Sequence, residues 1–108
     1  MTTFDKRKDA FESKFAHDAE LQFKAESRRN KLLGLWAAGL LGKTGAEAEA
    51  YAREVIAADF EKAGEEDVFL KIRRDFDAKG VQQSDHQIRR TMADLMQTAI
   101  AQVRESST

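Results

Sequence analysis

The side chains able to do chemistry are few and scattered. His17 and His86 are the only histidines and fall on different segments. No carboxylate stands in the Glu-x-x-His spacing of a di-iron bundle, and no Ser, His and Asp follow one another in a nucleophilic order. Gly42-Lys43-Thr44-Gly45 has the look of the end of a phosphate-binding loop. It lacks the upstream glycine at the required spacing, and no strand precedes it. What remains is electrostatic. The open amides at the start of a helix after Thr44, with Lys43 beside them, suit an anion. Arg28, Arg29 and Lys43, with Trp36 along the same helix, are therefore the candidate contacts for a bound nucleotide. The other dibasic pairs, Arg73-Arg74 and Arg89-Arg90, read as solvated helix faces and rim ion pairs. No catalytic or metal-ligating residue is assigned, and an enzyme is not expected.

A binding element is easier to see. Phe4, Phe11, Phe15, Ala19 and Phe23 step by seven, four, four and four, so they share one side of a helix. Lys6, Arg7, Lys8, Asp9, Glu12 and Lys14 are interleaved with them. A phenylalanine stripe with no place in a core is a candidate for insertion into a partner. The four basic residues of this arm face Asp5, Asp9, Glu12 and Asp18, so it lacks the cationic excess that anionic lipids select. His17 there is expected to be an ordinary exposed histidine.

The elements that must carry these residues are all helical. The 108-residue chain has no proline and is rich in Ala, Leu, Glu, Lys, Gln and Arg. Thr44 with Glu47 and Ser84 with Gln87 have the capping-box spacing, while Gly42, Gly64 and Gly80 stand where helices end. Helices are expected at about 19–41, 45–63, 65–79 and 85–104, forming an all-α four-helix bundle over 19–108 with a protruding, flexible or partly helical arm over 1–18. The apolar stripes are Ala25, Leu32, Leu33, Trp36, Leu40 and Leu41; then Ala48, Tyr51, Ala52, Val55, Ile56 and Phe60. They continue with Val68, Phe69, Ile72 and Phe76, and with Ile88, Met92, Leu95, Met96, Ala99 and Val103. A single helix from Thr3 to Leu41 would be about 58 Å long, against about 30 Å for its neighbours, so the first part must project. Gly34 and Gly39 lie inside the first helix, which predicts a close helix approach there.

Composition excludes more than it selects. There is no cysteine, so neither a disulfide framework nor a thiolate site is possible, and a reducing compartment is expected. No apolar run approaches the roughly 20 residues of a membrane span, and the charged N-terminus does not resemble a signal peptide. A soluble, cytoplasmic protein is expected, with no direct membrane insertion. The net charge of −1 argues against nucleic acid as partner. Charge is nevertheless segregated: residues 24–43 hold five basic residues against Glu26, and residues 47–67 hold eight acids against Arg53 and Lys62. The expectation is that these segments attract along adjacent helices of one bundle.

Phe11-Glu12-Ser13-Lys14-Phe15-Ala16, the run from Arg28 through Asn30, Leu33, Gly34 and Trp36 to Ala38, and Tyr51-Ala52 with Val55 carry a family signature. Over nearly its whole length the chain resembles the zeta subunit of the alphaproteobacterial F-type ATP synthase, a natural ATPase inhibitor formerly known as a domain of unknown function. The resemblance implies a four-helix bundle whose N-terminal segment inhibits ATP hydrolysis at the peripheral catalytic head. There it enters an interface between alpha and beta subunits and blocks rotation against gamma. Phe4, Lys8, Phe11, Lys14 and Phe15 fall in the corresponding inhibitory region. The resemblance also implies ADP or ATP as a regulatory ligand on the bundle, without assigning its site; no other cofactor is expected. A monomer is expected when free. The alternative reading is a nucleotide-responsive helical sensor whose arm engages another partner.

Overall fold

The computed structural model describes residues 19–61 and 65–106. Four helices fill them: α1 (Ala19–Leu40), α2 (Ala46–Glu61), α3 (Glu65–Lys79) and α4 (Asp85–Ser106). The architecture is the expected all-α four-helix bundle. The arm residues, Gly64 and the side chain of Phe60 lie outside what the structure describes.

Two of the helix ends are set by glycine for a common reason. Gly42 has φ 80° and Gly80 has φ 70°, a left-handed conformation that costs a residue with a Cβ. In each case this lets the chain fold back and satisfy the last carbonyls. Lys43 N–H donates to Ala38 O at 2.8 Å and Gly42 N–H to Gly39 O at 3.2 Å; Val81 N–H donates to Phe76 O at 2.9 Å and Gly80 N–H to Asp77 O at 3.3 Å. This is the paired bonding of a Schellman motif. Val81, just past the second turn, packs against the core that contains Phe76. The start of α4 is a reciprocal capping box: Gln87 N–H donates to Ser84 Oγ at 3.1 Å and Ser84 N–H to Gln87 Oε1 at 2.8 Å. At α2 the helix begins one residue later than expected. Gly45, at φ 55°, precedes Ala46, and the turn is closed by backbone bonds from Glu47 N–H to Thr44 O and Glu49 N–H to Gly45 O, both 3.1 Å.

Packing runs round a ring: α1 against α2 and α4, α2 against α3, and α3 more lightly against α4. The direction of neighbours follows from who meets whom. Gly34, six residues before the end of α1, meets Ala52, six after the start of α2, so the two helices are antiparallel. Tyr51 of α2 reaches Asp75 near the end of α3, and Arg28, close to the middle of α1, reaches Gln102 near the end of α4.

The buried core is in two parts. The main cluster joins all four helices through Leu33, Val55, Ile72, Phe76 and Ile88, with Trp36 packed edge-to-face on Phe76 at 5.7 Å. The smaller one is built by α1 and α4 alone: Ala25 and Val103, with Leu21, Met96 and Ile100 partly buried around them. Between Ala25 and Leu33 on α1 lie Arg29 and Asn30, each 1% exposed. Leu40, expected in the core stripe, is 41% exposed; it is the last residue of α1.

Candidate functional site

The residues singled out for nucleotide do not converge. Arg28 is exposed on α1, and its Nη1 donates to Gln102 Oε1 at 3.2 Å. Arg29, its neighbour, points the other way into the bundle, and its Nε donates to Asn30 Oδ1 at 2.8 Å. Trp36 is half-buried against Phe76. Lys43 stands in the α1–α2 turn, its Nζ 6.0 Å from the centre of the Tyr51 ring. Leu40, the last helical residue before that turn, is about 18 Å along the axis from Arg28 by helix rise alone. The open amides at the start of α2 are accompanied by Glu47 and Glu49 in its first turn, which already complement the helix dipole and work against an added anion. Phe4, Lys8, Phe11, Lys14 and Phe15 lie outside the described residues.

The burial of Arg29 was readable in the sequence. Ala25, Arg29, Leu33 and Ala37 step by four, so an arginine stands in the core row of α1. Asn30 was harder to find. Its Oδ1 accepts from Arg29, while its Nδ2 is buried with no hydrogen-bond partner among the described residues. A buried orphan donor is costly, by about 1–3 kcal/mol.

Other polar groups are committed to holding helices together. Tyr51 OH donates to Asp75 Oδ2 at 2.8 Å; Lys71 Nζ meets the same oxygen at 3.0 Å and lies 5.0 Å from the ring centre. Burial, then the hydrogen bond to Asp75 and its charge, raise the Tyr51 hydroxyl well above its ordinary pKa. Arg73 clamps the α3–α4 turn, donating to Asp77 Oδ1 at 2.7 Å, Asp85 Oδ1 at 3.0 Å and Gln83 O at 2.7 Å. Those bonds to Asp77 and Asp85 raise its pKa. Arg89 stacks on Phe69 at 3.9 Å and grips both oxygens of Glu66 at 3.0 and 3.1 Å. An open groove of about 500 Å³ between α2 and α3 is lined by Glu54, Ala58, Asp67, Leu70 and Arg74. Among the described residues no three His, Cys, Asp or Glu side chains stand together as a metal site, and no helix is long and apolar enough to cross a membrane.

What this geometry presents is a helical bundle whose described polar clusters join its own helices. Comparison with known proteins supplies the family. The family described as ATPase inhibitor subunit zeta matches residues 1–102, which takes in the phenylalanine stripe as well as the bundle. The chain belongs to the ATPase inhibitor subunit zeta family. Its role is thus that of an ATPase inhibitor. A protein structure solved in solution by NMR is similar to this zeta-family chain, with 51% sequence identity over 80% of this chain and 98% of that one, at a TM-score of 0.70. No curated protein gave a significant match.

Proposed function

We propose that the chain restrains ATP hydrolysis by the catalytic head of an F-type ATP synthase, and that residues 1–18 are the part that acts. On this reading the arm enters an interface between alpha and beta subunits that must open and close in each cycle. The wedge stops rotation against gamma without doing chemistry. The observation that carries the reading is that the family match begins at residue 1, and that Phe23, the one phenylalanine of the stripe among the described residues, is 53% exposed rather than taken into the core. A phenylalanine stripe at helical spacing suits insertion into an apolar groove of a partner.

Phe11 and Phe15 are one helical turn apart, so both can enter one apolar groove. Burying each is worth roughly 1.5–3 kcal/mol. The test is ATP hydrolysis by isolated catalytic head with added protein. Phe11→Ala combined with Phe15→Ala is expected to abolish inhibition at concentrations where the parent inhibits. Equal inhibition by the double variant would remove the stripe as the acting surface.

A further inference from the structure

The outward face of α1 carries a row that neither core cluster uses. Lys24, Arg28, Lys31, Leu32, Leu35 and Gly39 lie within about 100° of one another around the helix, spanning about 22 Å of its length. Lys24, Arg28, Lys31 and Gly39 are exposed, and Leu32 and Leu35 partly so. Neither leucine belongs to either core cluster. The row is cationic toward the start of the helix and apolar toward its end.

Its cations are little used. Lys24 pairs with Glu20 at 3.2 Å, with both side chains more than half exposed, and Arg28 meets the neutral Gln102. Lys31 has no ion pair among the described residues. The acidic stretch of α2 does not neutralise them, because no described ion pair joins α1 to α2.

The two helical glycines separate along the same line. A Cβ on Gly34 would collide with α2, so its absence serves the bundle. A Cβ on Gly39 would meet nothing within 4 Å. A glycine there weakens the helix by about 0.5–1 kcal/mol relative to alanine with no return from packing inside the protein. It leaves a flat spot at the apolar end of the row, where another backbone can approach closely.

We propose that this face of α1 is a second docking surface, taking an acidic amphipathic helix on the surface of the catalytic head. This rests on the inhibitor reading above. The cations meet the acidic edge of the partner helix, Leu32 and Leu35 meet its apolar edge, and Gly39 lets its backbone come close. The surface holds the bundle in place while the arm acts. Three cations are too few for strong attraction to a lipid surface, where each contributes about 1 kcal/mol, whereas they suffice to orient one acidic helix.

The test measures binding of the full chain to isolated catalytic head at several salt concentrations, together with ATP hydrolysis at saturation. The variants are Lys24→Glu with Arg28→Glu and Lys31→Glu, and separately Gly39→Leu, at an exposed position where an added Cβ meets nothing within 4 Å. Each is expected to retain the parent's helicity and to bind at least about tenfold more weakly, with full inhibition recovered at high concentration. The triple variant is also expected to lose most of the salt dependence. Parental affinity in both variants overturns the docking surface while leaving the arm reading intact, since the arm is judged separately by Phe11→Ala with Phe15→Ala. Absence of binding by the parent overturns both. Binding of the parent to anionic phospholipid vesicles with the same dependence on Lys24, Arg28 and Lys31 overturns the protein partner in favour of a membrane.

Discussion

Gly34 of α1 lies so close to Ala52 of α2 that a Cβ added to residue 34 would fall 2.6 Å from the Ala52 Cα and 3.1 Å from its Cβ. The nearest atom is backbone, so relief requires the helices to move apart rather than a side chain to turn. Gly34→Ala is therefore expected to destabilise by about 1–3 kcal/mol despite the better helix propensity of alanine. Gly39→Ala, with open space around it, is expected to stabilise by about 0.5–1 kcal/mol. Thermal unfolding of the two variants gives shifts of opposite sign, about 4–8 °C per kcal/mol for a domain of this size. Shifts of the same sign would show that helix propensity, not interhelix distance, governs both positions.

Arg29 is a large side chain at 1% exposure, separating the two core clusters. Arg29→Ala opens a cavity and strips Asn30 Oδ1 of its donor. A loss of about 2–4 kcal/mol is expected. Arg28→Ala, one residue away on the solvent side, is expected to cost less than about 0.5 kcal/mol. Denaturant midpoints for the pair measure the contrast; equal effects would mean that Arg29 is not a core residue.

Tyr51 is the only tyrosine, so phenolate absorbance reports on it alone. Its folded pKa is raised by burial and by Asp75. The unfolded chain titrates near pH ~10. Below that both states are protonated and the contribution to stability is whole. Above it the unfolded state loses a proton that the folded state keeps. Stability then falls by up to about 1.4 kcal/mol per pH unit. Phenolate is expected to appear together with unfolding rather than near pH ~10 in the folded protein. Tyr51→Phe is expected to lose about 1 kcal/mol at neutral pH and to show the shallower decline above pH ~10. A phenolate signal at pH ~10 with helicity intact would place the hydroxyl in solvent.

Much of the fold is legible along the chain because its signals are local. Absence of proline, the Ser84–Gln87 box and the positions of Gly42 and Gly80 depend on residues within one turn of each other, and the helices follow from them. The apolar rows Val68, Phe69, Ile72 and Phe76, or Ile88, Met92, Ala99 and Val103, are buried as their spacing requires. Grouping candidate nucleotide contacts by nearness in sequence was a different matter. Arg28 and Arg29 are adjacent residues about 100° apart around the helix, so one faces Gln102 and the other the core.

By itself the sequence determined that the chain is helical, to within a few residues where helices begin and end, and which face of each is apolar, because helix periodicity and capping are short-range physics. Only the tertiary structure decided which neighbour each face meets. Which of Gly34 and Gly39 meets another helix, the buried amide of Asn30 and the sparse pairing of the α1 cations depend on distances between helices far apart in the chain, and no local pattern encodes those.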